Sequence, residues 1–250
     1  MYASVNGLSL YYEEHGSGRV PLLLVPGGHQ SIELSFRSVL CALASRRRVV
    51  AMEQQGHGRT ADIDRAPTLR NLADDLVGLC DHLGLERVDV LGFSLGGLAA
   101  MDAAIRYPER FERFVFASGH VRPEGYHVEI TDPARWATST RMLTEADVAG
   151  MQREHQRLAP PGSPDLATFH AKLGPVVQEF TGWSDEELAQ ITARTLILIG
   201  DHDFVTVEHA ALALELVPHA RLAVVPAATH TGLLHRAEVV LPILEDFLAR

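Results

Sequence analysis

Cysteine is scarce: only Cys41 and Cys80 occur among 250 residues. Neither belongs to a C-x-x-C pair, so neither a disulfide framework nor a zinc site is indicated. Both fall in stretches with helical patterning, and free cysteine behaves as a small buried hydrophobe, so both are expected in the core. Basic charge is also in deficit, 22 Lys and Arg against 32 Asp and Glu, for a net charge of −10. A phosphate backbone or an anionic bilayer attracts a basic face, so nucleic acid and membrane are disfavoured as partners. No apolar run approaches the roughly 20 residues of a membrane span. The opening residues Met1-Tyr2-Ala3-Ser4-Val5-Asn6 carry neither a basic nor an apolar leader pattern, so a cytoplasmic location is expected. No internal repeat and no low-complexity tract occurs.

What is present is a chain 46% hydrophobic and 22% charged, enough to bury the core of one domain with an insertion. Its first half alternates short β-like runs with longer helical patterns. Leu8–Glu13, Val20–Pro26, Arg48–Glu53, Arg87–Phe93 and Phe111–Ala117 read as strands. Leu22-Leu23-Leu24-Val25 is apolar throughout, as a strand covered on both faces requires. Helices are predicted around Leu34–Ala44, over Thr68–Leu83 with Gly84 as its C-terminal cap, and over Leu95–Tyr107, where Pro108 stops it. Repeated β-then-α units imply an α/β fold with a mostly parallel central sheet and helices on both faces.

That alternation breaks between His120 and Ile191. The segment carries Pro123, Pro133, Pro160, Pro161, Pro164 and Pro175, and only helix-like pieces stand out, around Thr144–Leu158, Asp165–Thr181 and Asp185–Gln190. Strand Thr195–Gly200, helix His209–Leu216, strand Arg221–Pro226 and a last helix then resume the pattern. The reading is a core domain of 1–119 and 191–250, with 120–190 as a helical lid inserted over the carboxyl edge of the sheet.

Chemistry concentrates in Gly92-Phe93-Ser94-Leu95-Gly96, between an apolar strand and a helix of small residues. A serine on so sharp a strand-to-helix turn has a strained backbone, and side chains two positions away would clash with it; glycines remove the clash. The following helix N-terminus favours developing negative charge. The spacing is not the G-x-G-x-x-G of dinucleotide binding, and Gly56-His57-Gly58-Arg59-Thr60 has no Walker lysine.

A neutral serine needs a base, and the base needs an orienting carboxylate. Thirteen histidines compete, so position must choose: reactive groups gather where loops leave the carboxyl ends of strands. His230 lies in the loop after the last strand. Asp203 lies in the loop after the preceding one, with Asp201 a close competitor. His29, His57, His120 and His202 also sit near strand ends and suit structural or pocket-lining roles.

Taken together these strings resemble the α/β-hydrolase superfamily over essentially the whole chain. The matching motifs are Leu24-Val25-Pro26-Gly27-Gly28, Gln55-Gly56-His57-Gly58-Arg59-Thr60, Gly92-Phe93-Ser94-Leu95-Gly96-Gly97, Gly200-Asp201-His202-Asp203 and Thr229-His230. The resemblance implies Ser94 as nucleophile, His230 as base and Asp203 as acid. It implies an oxyanion hole from the N–H groups of Leu95 and Gly28, and no cofactor or metal. Two departures stand out. Pro26-Gly27-Gly28 replaces the commoner His-Gly, and Met52-Glu53-Gln54-Gln55 lacks the usual Asp and Arg before Gly-His-Gly, removing an expected ion pair.

The expected reaction is hydrolysis of an ester or lactone of a small, largely apolar molecule through an acyl-enzyme. Carbon–carbon bond hydrolysis on the same triad, or a receptor that binds without turnover, are the alternatives. A small molecule is the expected partner, and a homodimer is allowed. Trp136, Met142, Phe169 and Trp183 of the lid, with His29, Phe93, His120 and Val205, are the candidate substrate contacts.

Overall fold

The computed structural model describes residues 1–249. Its eight strands are β1 Tyr2–Val5, β2 Leu8–His15, β3 Leu22–Val25, β4 Val49–Met52, β5 Val88–Phe93, β6 Phe111–Ala117, β7 Arg194–His202 and β8 Ala220–Thr229. They form one sheet in the order β1-β2-β4-β3-β5-β6-β7-β8. The two pairings of β2 are antiparallel, and every pairing from β4 to β8 is parallel. The first strand, not foreseen, is an edge strand of four residues whose exposed and buried positions alternate. So short an alternation carries little sequence signal.

The central strands are apolar on both faces because both faces are covered. Leu23 and Val25 pack with the helices Leu69–His82 and Leu95–Arg106. Leu22 and Leu24 point the other way, against Ile32, Phe36 and the helix Ala237–Ala249. Successive side chains on a strand take opposite faces, so one apolar run serves two cores. The helix expected around Leu34–Ala44 is two short ones, Ile32–Phe36 and Leu40–Ala44; the first starts early because Ser31 Oγ accepts the Leu34 N–H. Cys80 is buried as expected, whereas Cys41 is exposed on the second of these helices.

Between β6 and β7 lie the helices Val128–Thr131, Glu145–Leu158, Leu166–Gln178 and Asp185–Leu188. Thr144, Asp165 and Ser184 cap the last three. This segment contributes no strand, only an isolated bridge from Tyr126 to Val205. Phe169 and Leu173 of the Leu166–Gln178 helix pack on Leu72, Leu95 and Ala99, which seats that helix above the start of Leu95–Arg106.

The ion pair expected to be missing after β4 is replaced rather than lost. Glu53 is fully buried and accepts from Arg59 Nη1 at 2.9 Å and from the backbone N–H of Arg59 at 2.6 Å. Burial pushes its carboxyl up to about 7 against the pull of those donors. Arg65 then takes the place of an arginine within the motif, reaching back to Gln55 Oε1 at 2.6 Å and Asp75 Oδ2 at 2.5 Å. Together these bonds hold the Gln54–Thr60 turn beside the carboxyl end of β3.

Candidate active site

β5 ends at Phe93 and the next helix begins at Leu95, so Ser94 alone turns the chain. Its φ of 51° and ψ of −119° lie where a residue bearing Cβ stores ~1–3 kcal/mol. Close approach of neighbouring backbone forces that geometry. A Cβ on Gly92 would stand 2.6 Å from the Gly96 carbonyl oxygen, and one on Gly96 would run into the carbonyls of Val25 and Pro26. The Ser94 N–H donates to Ala117 O at 2.8 Å, tying the turn to β6.

His230 is the first residue beyond β8. Its Nε2 lies 2.9 Å from Ser94 Oγ and its Nδ1 lies 2.7 Å from Asp203 Oδ1. The ring is clamped by stacking on Phe204, with centroids 4.0 Å apart and planes 6° apart, and by Phe93 at 5.2 Å. Asp203 is fully buried. Its Oδ1 also accepts the Phe204 N–H at 2.7 Å, and its Oδ2 accepts the Ser118 hydroxyl at 2.5 Å. Burial alone would raise this carboxyl, but His230, Ser118 and the Val205 N–H hold it below the usual carboxylate range. An ionised carboxylate only accepts, so Nδ1 carries the imidazole proton and Nε2 is left to accept from Ser94.

Asp201 does not share this arrangement. β7 runs on through His202, with a register shift against β8 at Gly200/His202, rather than ending at Gly200. Asp201 therefore stays on an exposed strand position and accepts the Ala228 N–H at 3.2 Å, two residues before His230.

Sequence reasoning missed Ser118. It follows β6 with a φ of +53° and directs its hydroxyl at Asp203; a positive φ is legible only in three dimensions. A hydrogen bond to a charged group is worth ~1.5–3 kcal/mol, so Ser118→Ala should lower kcat about tenfold with KM little changed. Steady-state kinetics on one ester checks this, and an unchanged kcat would show that the Oδ2 bond does not orient the acid.

The N–H groups of Leu95 and Gly28 donate to no described residue, and the ideal Cβ position on Gly28 lies 3.6 Å from the Leu95 side chain. Both residues border a cavity of about 280 Å³ that also reaches Ser94 and His230. Its apolar wall comes from Phe93, Leu98, Leu143, Met151, Leu173 and Val177, and no Lys, Arg, Asp or Glu lines it.

Of the candidate substrate contacts, His29 and Phe93 border this cavity and the other six do not. His29 has a φ of +60° and its Nε2 lies 3.0 Å from His170 Nδ1. Burial, with His57, His170 and His155 nearby, pushes its pKa down to about 3. Trp136 is 47% exposed, its Nε1 bound to Ile130 O. Met142 is half-buried off the wall, while its neighbour Leu143 lies on it. Phe169 is buried edge-on to His57 at 5.2 Å and fills the space a side chain at Gly56 would need. Trp183 packs on Phe180, His120 packs at a tilt on Tyr126, and Val205 lies in the core. His209, on the helix Val207–Leu216, is buried and accepts the Val121 N–H. No group of three or more His, Cys, Asp or Glu placed to hold a metal ion occurs among the described residues.

Residues 20–181 match the model of the α/β hydrolase fold family. A human relative, serine hydrolase BPHL from Homo sapiens, is 29% identical over 98% of this chain and 84% of its own. Among solved structures, the meta-cleavage product hydrolase of Pseudomonas fluorescens IP01 superposes with a TM-score of 0.83 at 20% identity, covering 100% of this chain and 97% of that one. The enol-lactonase of Burkholderia xenovorans LB400 gives 0.79 at 23% identity over 100% of both chains. The eight-stranded mostly parallel sheet, the serine on its tight turn and these likenesses agree: the chain belongs to the α/β-hydrolase family and is a hydrolase.

Proposed function

We propose that this hydrolase cleaves an ester or lactone of a small, uncharged, largely apolar molecule through an acyl-enzyme on Ser94. The observation that carries the reading is the continuous hydrogen-bonded chain Ser94–His230–Asp203 at the wall of an apolar cavity. His230 Nε2 takes the Ser94 proton as Oγ attacks the carbonyl carbon. The oxyanion that forms is held by the N–H groups of Leu95 and Gly28, each such donor being worth roughly 10²–10³ in rate. Imidazolium then hands its proton to the leaving alcohol oxygen, and water, activated by the same ring, releases the acid. Asp203 keeps the tautomer and stabilises the cation. A cavity wall without a cation gives a substrate carboxylate no partner, and burying an unpaired charge is costly, so neutral substrates are favoured.

In this reading residues 120–190 are the lid, a unit set on the core of 1–119 and 191–250. Through Leu143, Met151, Leu173 and Val177 it supplies much of the apolar wall. A free small molecule is the partner.

The test is covalent. A fluorophosphonate should add to one residue, and peptide mapping should place the adduct on Ser94. A p-nitrophenyl ester should be turned over by the same preparation. Labelling elsewhere overturns the nucleophile, and binding of esters with neither label nor turnover would mark a receptor instead.

A further inference from the structure

One polar group on the cavity wall has no work in the mechanism above. Tyr126 borders the cavity with Ser94, Phe204 and His230, and its hydroxyl has no hydrogen-bond partner among the described residues. Most other polar side chains on that wall make at least one hydrogen bond, although His29 Nδ1 is left without a partner. His29 and His170 bond each other, Gln30 accepts from Ser35, and Thr231 donates to Asp147. Gln178 is also unpartnered, but it is exposed to solvent, which can satisfy it.

The Tyr126 ring is held in place from several sides. Its backbone bridges Val205, the flanking Gly125 O and His127 N–H bond to Thr206 and Phe204, and the His120 ring packs against it, tilted by 47°, at 4.2 Å. His120 is itself buttressed edge-on by Phe180 at 5.4 Å. These contacts fix the phenol's position on the wall. The residue is half-buried and its hydroxyl meets no acceptor among the described residues, so a ligand oxygen in the cavity would find a free, positioned donor there. Burial together with the Asp203 charge raises the phenol pKa, so the group remains a donor.

We propose that Tyr126 is a specificity-determining residue whose O–H donates to an uncharged ether, carbonyl or hydroxyl oxygen of the substrate, away from the scissile carbonyl. The preferred substrates are then esters or lactones carrying a second oxygen, not plain hydrocarbon esters. The proposal rests on the ester or lactone reading above.

It is tested with p-nitrophenyl hexanoate and its 3-, 4- and 5-oxa isosteres, plus alkyl and alkoxyalkyl esters that place the oxygen on the alcohol side. Each is measured with the wild-type protein, Tyr126→Phe and Tyr126→Leu. For at least one oxygen position, Tyr126→Phe should lower kcat/KM about tenfold or more, while the hydrocarbon ester changes little. The ratio between variants cancels the electronic effect of the added oxygen. Equal losses on all esters would mean that Tyr126 only shapes the wall, and no loss on any would mean that its hydroxyl is idle; either result overturns the proposal. Fluorophosphonate labelling of Ser94 in the same samples separates the two levels. Label and hydrocarbon-ester turnover without oxygen selectivity reject only the role of Tyr126, whereas loss of both in the wild type rejects the hydrolase chemistry beneath it.

Discussion

Ser94→Ala should lower kcat on a p-nitrophenyl ester about 10⁶-fold while the protein stays folded. Alanine keeps the Cβ that the turn already accommodates, so the packing of Gly92 and Gly96 around the elbow is unaltered. What disappears is the oxygen that His230 Nε2 meets at 2.9 Å. His230→Ala should cost a similar factor, since without a base the hydroxyl stays a poor nucleophile. The two groups act as a unit, so the double variant should be no slower than either single one. Initial rates, with circular dichroism as the folding control, decide this. A Ser94→Ala protein retaining more than a hundredth of the activity would remove Ser94 from the chemistry.

Asp203→Asn should lower kcat on the order of 10⁴-fold, because the amide imposes the wrong imidazole tautomer while leaving the geometry nearly intact. Asp201→Asn should cost far less. The two carboxylates stand two positions apart on one strand end, yet their surroundings differ. Asp203 is fully buried, takes the His230 Nδ1–H and is held ionised. Asp201 is exposed and meets only the backbone near Ala228. Asparagine at 201 keeps an amide oxygen that can accept the Ala228 N–H, so the loop that carries His230 keeps its tether. Both variants should be assayed with one ester at one pH; a severe lesion at Asp201 and a mild one at Asp203 would reverse the assignment.

The residues that meet at this site were legible because local rules fix them. Gly92, Ser94 and Gly96 sit between an apolar strand and a small-residue helix. Asp203 and His230 follow two later strands, and a parallel sheet brings all such loops to one edge. The cavity wall was not legible in the same way. Phe169 is as apolar as any wall residue, but it seats its helix on His57 and Leu72, and the face at 170, 173, 174, 177 and 178 borders the cavity. That spacing is one helical stripe. Pattern alone marks both stripes as buried and does not say which partner each one meets. Trp136 and Trp183 were candidates as apolar lid residues, yet one lies at the surface and the other in the core.

By itself the sequence determined the β/α alternation and the glycine-flanked turn at Ser94, since each depends on neighbours within a few residues. Asp203 was already favoured over Asp201 by the family resemblance, but its hydrogen bond to His230, the Ser118 bond to its other oxygen, the Glu53–Arg59 pair and the place of Tyr126 on the cavity wall were decided only by tertiary structure. Each is a contact between segments far apart in the chain, whose energy depends on distance, burial and direction. A one-dimensional pattern contains none of these three.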